Sequence, residues 1–353
     1  MDDREVLAHP DVDGRLARDG DTRGMIISRT PLRISFAGGG SDLAAFYRHQ
    51  PGMVVSTAIN KYIYIAVNRK FDDKIRASYS VTEIVDKVDD LQHELIRETL
   101  RLLDIDGGIE IVSVSDIPSH GTGVGSSSSY VVGLLHALHV YKGEYAGADR
   151  LAQEACHIEI DLCGKPIGKQ DQYIAAYGGL QCIRFYEDES VCVEPVLCSD
   201  AVKTKLERHL LLLYTGLKRS SDDVLQEQQH NTASSVVIRE GLGTMVVYAQ
   251  ELRRALERCS LSRFGELLDR SWRAKKLLAD GISNPVIDEW YEIACNHGAL
   301  GGKIAGAGGG GFLLLFAPPE RHDEIVQALP GLRPIDIRFE PQGSKIIYEG
   351  ENG

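Results

Sequence analysis

Glycine is gathered at three places in this chain, and each gathering asks the backbone for a conformation or a close approach that a side chain would forbid. The first lies in residues 30–43, Thr-Pro-Leu-Arg-Ile-Ser-Phe-Ala-Gly-Gly-Gly-Ser-Asp-Leu. The second, residues 118–130, reads Pro-Ser-His-Gly-Thr-Gly-Val-Gly-Ser-Ser-Ser-Ser-Tyr, and the third, residues 303–312, reads Lys-Ile-Ala-Gly-Ala-Gly-Gly-Gly-Gly-Phe. In the second, Gly121, Gly123 and Gly125 allow backbone N–H groups to face inward, and the serine run opens a helix whose apolar face is Tyr130, Val131, Leu134, Leu135 and Leu138. Unpaired N–H groups and a partial positive charge at such a helix start suit a polyphosphate, and serine hydroxyls there can meet phosphate oxygens or Mg²⁺. The plainer alternative is a glycine turn with serine N-caps. A Walker A loop is excluded, because the spacing fails and no lysine follows the last glycine. In the third segment Gly306, Gly308 and Gly311 fit Gly-x-Gly-x-x-Gly, but Phe-Leu-Leu-Leu-Phe follows, a strand where a dinucleotide site needs a helix. A loop that closes on a ligand or on another backbone fits better.

Between these segments, strand patterns at 26–36, 54–59, 62–67, 109–114 and 210–214 alternate irregularly with helical ones at 91–103, 127–142 and 150–163. Later come helices around 246–257, 261–279 and 286–297, then strands at 312–316, 335–339 and 345–348. The absence of a βαβ rhythm favours an α+β fold over a doubly wound sheet. A composition shift near 199–208 is the expected domain boundary. Residues 1–24 carry seven acids and four bases with no apolar core, so they read as a flexible leader rather than a signal peptide, with Met25 a candidate start.

Charge narrows the partners. With 39 Lys plus Arg against 51 Asp plus Glu, the net charge is −12, which disfavours nucleic acid and anionic lipid. No run approaches a membrane span. The seven cysteines show no Cys-x-x-Cys spacing, in keeping with a reducing, cytoplasmic setting. An anionic substrate must be held by local devices.

The three segments, in order and spacing, resemble the three motifs of the GHMP kinases, and the resemblance runs from Met25 to the C-terminus. It implies a two-domain α+β fold: an N-terminal ribosomal-protein-like β-α-β domain over 25–200 and a ferredoxin-like C-terminal domain over 201–353. It also implies ATP and Mg²⁺ as cofactors, a small-molecule sugar or sugar phosphate as substrate, and a monomer or homodimer. By the resemblance, Gly121, Thr122, Gly123, Val124, Gly125, Ser126, Ser127, Ser128 and Ser129 wrap the ATP phosphates. Ser127 and Glu159 are the implied metal ligands, with Glu154 as the fallback. Gly-Lys-Gln-Asp-Gln-Tyr at 168–173 looks like the segment that carries the aspartate of sugar kinases, making Asp171 the base or orienting group. Arg33 and Lys169 would offset negative charge around it. Gly40, Ser41 and Asp42, with Asp171, would meet the sugar, although an Asx turn alone explains Asp42. Lys303, Gly306, Ala307, Gly308, Gly309 and Gly310 would close one side of the cleft.

Where galactokinases carry Gly-Glu-His-Thr-Asp, this chain has Gly-Gly-Gly-Ser-Asp, which removes side-chain contacts to a hexose. The first segment, with Ile-Gly-Lys-Gln-Asp-Gln-Tyr, looks like the heptose-7-phosphate kinase branch, whose reaction places phosphate on the anomeric hydroxyl of D-glycero-D-manno-heptose 7-phosphate. The fucokinase branch shares a Gly-Gly-x-x-Asp motif and is the rival, and a non-catalytic sugar sensor is a further alternative. A phosphorylated acceptor needs a second anion site, for which Lys218, Arg219 and Lys169 are candidates. For the adenine, Tyr62, Tyr64 and Tyr79 are the candidates.

Overall fold

The computed structural model describes residues 24–118, 121–217 and 221–350; of the expected leader, 1–23 lie outside the described residues. The first sheet is built on two long neighbours, β1 (Ile26–Ala37) and β2 (Gly52–Arg69), paired antiparallel. β2 is long enough to serve two partners. Its second half pairs with β5 (Ile109–Ser115), beyond which lie β3 (Ile75–Ser78, parallel to β5) and β4 (Thr82–Val85). Its first half pairs with β6 (Leu180–Phe185), which carries β7 (Val191–Pro195). The two strands expected at 54–59 and 62–67 are therefore one. Ile59 faces Leu32 and Tyr62 faces Pro31, so Asn60 and Lys61 are absorbed as a bulge that bends the strand without ending it.

The second sheet contains β8 (Leu210–Tyr214), β9 (Gly301–Ile304), β10 (Phe312–Phe316) and β11 (Arg333–Ile335) in the antiparallel order β11-β8-β10-β9. Leucines on β8 face leucines on β10 in register, and all five residues of β10 are buried. The last strand, β12 (Lys345–Glu349), returns to pair with β1 in the first sheet. The segment after residue 200 thus contributes to both sheets.

The short helix α1 (Ala44–Tyr47) follows the first glycine segment, and α2 (Glu94–Leu102) precedes β5. Helix α3 (Ser126–Tyr141) packs on β1 and β2, and against α4 (Ala148–Cys156) and α5 (Gln170–Tyr177). α4 passes into a π-helical turn, His157–Leu162. After α6 (Asp200–His209) and β8 come α7 (Ser221–Ser234), α8 (Val236–Glu257) and α9 (Leu261–Lys275), then α10 (Pro285–Asn296) and α11 (His322–Ala328). α8 lies on β1 and β2, and α9 packs on β9. Phe36 of β1 meets Phe264 of α9 edge-on at 5.3 Å, and Phe264 meets Phe316 of β10 at 5.1 Å. All three are fully buried, each worth roughly 1.5–3 kcal/mol of burial. This aromatic chain ties the two sheets together.

Candidate active site

The second glycine segment is a backbone structure. Gly121, Gly123 and Gly125 adopt φ of 70°, 73° and 78°, which a side chain would strain. Val124 between them is fully buried, and its carbonyl accepts the Arg33 N–H at 2.9 Å, pinning the loop to β1. The third segment closes on this one: a Cβ at Gly123 would stand 2.3 Å from the Ala305 carbonyl, and one at Gly311 would stand 2.4 Å from that of Thr122. Glycine is present here for close backbone approach, as the sequence suggested. Gly308 is pressed against Ile282 and Gly310 against the Leu217 carbonyl.

Helix α3 starts immediately after Gly125, so its first-turn N–H groups lack intrahelical partners. The serines diverge. Ser127 is exposed, while Ser126 and Ser128 are buried. Ser129 departs from the expected phosphate set, because its N–H donates to the Gly125 carbonyl (3.0 Å) and its hydroxyl to the Pro31 carbonyl (2.8 Å). It locks α3 to β1. Val124 likewise brings no side chain to a ligand.

Arg33 and Asp171 form a fork. Arg33 Nε donates to Asp171 Oδ1 (2.7 Å), Nη2 to Oδ2 (2.5 Å), and Nη1 to the Gly123 carbonyl (2.5 Å). Gln170 Nε2 also donates to Oδ1 at 3.2 Å. Each carboxylate oxygen has two acceptor positions, so Oδ1 is filled and Oδ2 keeps one open. Asp42 lies alongside, 7% exposed, with Oδ1 accepting from Gly40 N–H (2.8 Å) and Oδ2 from Gln170 N–H (3.3 Å). Burial pushes its carboxyl upward, and the nearby Asp171 adds to the effect. A Cβ at Gly168 would fall 2.0 Å from Asp42 Oδ2, which explains that glycine. Ser41 does not join them. Its hydroxyl is fully buried and closes the turn by donating to the Gly38 carbonyl at 2.7 Å.

Glu159 sits in the π-helical turn, fully buried, where an extra residue in the helix turns its side chain onto the start of α3. The Ser127 hydroxyl donates to Oε1 (2.7 Å) and Gln172 Nε2 to Oε2 (2.6 Å), and the Ser128 hydroxyl also reaches it. Burial still pushes its carboxyl up to about 7 against these donors. A buried carboxylate beside a hydroxyl is a hard-oxygen set that a divalent cation would stabilise. Among the described residues no group of three His, Cys, Asp or Glu could hold a metal; one carboxylate and one hydroxyl fit Mg²⁺, which completes its shell with phosphate and water. Glu154 is engaged elsewhere, by His139 Nε2 (2.6 Å) and Arg150 (2.8 Å).

Lys169 also departs from expectation. Its ammonium pairs with Glu189 (2.5 Å) and lies over the Tyr47 ring. The cations that accompany Arg33 are instead Lys303, whose Nζ donates to the Ser35 carbonyl (2.9 Å), and Lys275, whose Nζ donates to the Gly306 carbonyl. Lys275 was invisible in the sequence, being one of two lysines at a helix end. Tyr62 is held by Glu340 (2.5 Å) and Tyr79 by Glu83 (2.7 Å). Lys218 and Arg219 lie outside the described residues.

Arg33, Asp42, Asp171, Gly40, Gln228 and Lys275 are among the residues that surround a cavity of about 70 Å³ at the foot of the glycine loop. A glycine loop at a helix start, a buried carboxylate beside a hydroxyl and an aspartate in a guanidinium fork thus come from the first half of the chain, and Gln228 and Lys275 of the second half line the cavity with Arg33 and Asp171.

Comparison with known proteins gives the class. Residues 90–179 match the GHMP kinases N terminal domain and residues 252–332 match GHMP kinases C terminal. Both terminal regions of the GHMP kinases are thus matched in order along this chain. It is 29% identical over 325 residues to the D-glycero-alpha-D-manno-heptose 7-phosphate kinase of Campylobacter jejuni, covering 86% of this chain and 93% of that one. It is 26% identical to the L-fucokinase/L-fucose-1-P guanylyltransferase of Bacteroides fragilis, covering 83% of this chain but 34% of that longer protein. A crystal structure of a D-glycero-D-manno-heptose 1-phosphate kinase from Bacteroides thetaiotaomicron superposes with a TM-score of 0.75 at 23% identity, covering 92% and 99% of the two chains. Lactococcus lactis galactokinase with galactose gives 0.73 at 18%, covering 93% and 96%. At these identities the two structures bear on the fold. Among the described residues no helix is long and apolar enough to cross a membrane.

Proposed function

We propose that this kinase transfers the γ-phosphoryl group of ATP to the anomeric hydroxyl of D-glycero-D-manno-heptose 7-phosphate, giving the 1,7-bisphosphate. The observation that carries the reading is the Arg33–Asp171 fork beside Asp42, at the foot of a glycine loop that opens a helix. The relative in Campylobacter jejuni supports the choice of sugar.

The acceptor hydroxyl lies against Asp171 Oδ2, the oxygen with an unused acceptor position. As its oxygen bonds to the γ-phosphorus, the bond to the ADP oxygen breaks and the hydroxyl proton passes to Asp171, which later releases it to water. Arg33 holds the carboxylate in place, and its remaining N–H groups face the charge that spreads over the transferring group. Asp42, pushed toward its neutral form, orients the sugar hydroxyls. The α3 N-terminus and the N–H groups at Gly121–Gly125 cradle the phosphates. Ser127 and Glu159 would hold Mg²⁺, which neutralises phosphate charge. Positioning and fixed dipoles do most of this chemistry.

ADP release with Mg-ATP across a panel of acceptors tests the reading: the heptose 7-phosphate, fucose, galactose, mannose and sedoheptulose 7-phosphate. Turnover restricted to the heptose phosphate is the expected result. Preference for a free sugar would replace it with the fucokinase-like reading, which the match to the Bacteroides fragilis protein favours. No ADP release with any acceptor would remove it.

A further inference from the structure

Helix α7 brings a feature to the cavity that none of the three glycine segments contains. Its buried stripe is Val224, Gln228 and Thr232, exposed by 0%, 1% and 0%. Two of the three are polar. Thr232 is satisfied within the helix by the Gln228 carbonyl, but Gln228 Nε2 has no partner and its side chain lines the cavity. It occupies the space of a missing side chain, since a Cβ at Gly40 would lie 2.1 Å from that nitrogen. Ser35 Oγ, also buried and lining the cavity, is unpartnered as well. Lys275, 4% exposed at the end of α9, gives one of its three N–H groups to the Gly306 carbonyl. Leaving such donors buried without acceptors is costly. The carboxylates that face Lys275 are Asp42 and Asp171, and the cations are Arg33 and Lys303. Asp171 keeps one open position, on Oδ2, and Gln170 Oε1 is the unpartnered acceptor on this wall, so the free N–H and O–H groups of Lys275, Gln228 and Ser35 have few acceptors to share.

We propose that Lys275, Gln228 and Ser35 form a phosphoryl-oxygen subsite, whose missing acceptors are the oxygens of a phosphate group brought by a substrate. Two sources share this chemistry: the group being transferred, and the phosphate that a sugar-phosphate acceptor already carries. The second source rests on the reading under Proposed function; the subsite itself does not.

The experiment uses the full chain and the variants Lys275→Met and Gln228→Leu. Inorganic phosphate is titrated in saturating Mg-ADP, which occupies the glycine loop, and the melting temperature is followed. Wild type is stabilised by millimolar phosphate, and both variants lose that response. This step needs no acceptor, so an inactive heptose phosphate would sink the substrate assignment and leave the subsite standing. Kinetics then separate the sources. A kcat loss of about 100-fold in Lys275→Met, equal on phosphorylated and free sugars, assigns the transferred group. A KM increase confined to phosphorylated acceptors assigns the acceptor's phosphate. A lysine that only ties α9 to the third glycine segment would lower the melting temperature and keep the phosphate response, which overturns the proposal. If Lys275→Met does not fold, Gln228→Leu decides alone: an unchanged phosphate response with unchanged kcat and KM overturns it.

Discussion

The two walls of the cleft are built by opposite means. The wall proposed for ATP, the donor wall, is backbone: glycines with positive φ and the first turn of α3, all within residues 121–128 and shaped by contact with the third glycine segment. The wall proposed for the sugar, the acceptor wall, is side chains, delivered by β1, α5, α7 and α9 from positions up to 242 residues apart, Arg33 to Lys275. A wall made of backbone tolerates almost no side chain. A wall made of side chains can change its ligand by single substitutions and leave the fold intact.

The sharpest way to break this contrast is Asp171→Asn. The variant loses the proton acceptor but keeps one oxygen for Arg33, so kcat should fall by about 10²–10⁴-fold while ATP affinity, a property of the other wall, survives. Normal turnover in an ADP-release assay would place the base elsewhere. On the donor wall the matching change is Gly123→Ala, which adds a methyl group 2.3 Å from a carbonyl at φ 73°. Strain of about 1–3 kcal/mol should appear as weaker ATP binding by calorimetry. Gly164 is the control, because its φ is also positive, 64°, but nothing lies within 4 Å of an added Cβ. Gly164→Ala should cost stability alone, and an equal loss of ATP affinity there would refute the close-approach argument.

Glu159→Gln tests where the walls meet. It removes the charge that favours a divalent cation and keeps the shape, so the Mg²⁺ concentration for half-maximal rate should rise severalfold. Glu154→Gln should leave it unchanged, since that carboxylate serves His139 and Arg150. If the two effects were exchanged, the metal assignment would move to Glu154.

A smaller effect belongs to Lys275 in the free enzyme. Burial, with Arg33 adding to it, pushes the ammonium down to about 8, opposed by Asp42 and Asp171. Above that pH the folded chain has shed a proton that the unfolded chain keeps until near 10.5. Stability therefore gains as pH rises through this window, by at most about 1.4 kcal/mol per pH unit. Lys303 is depressed for the same reason and contributes in the same direction, so the test is the difference between wild type and Lys275→Met in urea melts between about pH 8 and 9.5. Parallel curves would show that Lys275 titrates as an ordinary lysine.

The same contrast explains what the sequence made legible. Gly121, Gly123 and Gly125 could be read because a backbone site writes itself into composition, and β1, β10 and α3 because their apolar patterns are unbroken. The halves of β2 were separated by Asn60-Lys61, since a bulge and a turn use the same polar residues. Helix α7 escaped notice because its buried stripe carries Gln228 and Thr232, which no hydrophobic period detects. Asp171 and Arg33 are candidates only through the family resemblance; their fork is a tertiary fact. Lys275 had no local signature at all, since burial alone distinguishes it from Lys276.

Lys169 is the counterpart, and it carries the smallest expected effect. It stands two residues from Asp171, and sequence proximity made it a candidate for supporting the charge there. In the fold it stands at the residue before α5 and turns to Glu189, whose carboxylate also accepts from Tyr47 and Arg48. Those hydrogen bonds from Lys169, Tyr47 and Arg48 outweigh burial and bring Glu189 down to about 2. With Lys169 removed, two partners remain on Glu189, and the site keeps Arg33, Lys275 and Lys303. Lys169→Met should therefore change kcat and the acceptor KM by less than about threefold and cost up to about 1 kcal/mol of stability. A loss of kcat comparable to that of Asp171→Asn would mean that the ammonium swings from Glu189 to the aspartate when substrate binds. The acceptor wall would then be partly assembled by its ligand, in contrast to the donor wall, which its glycines hold in shape beforehand.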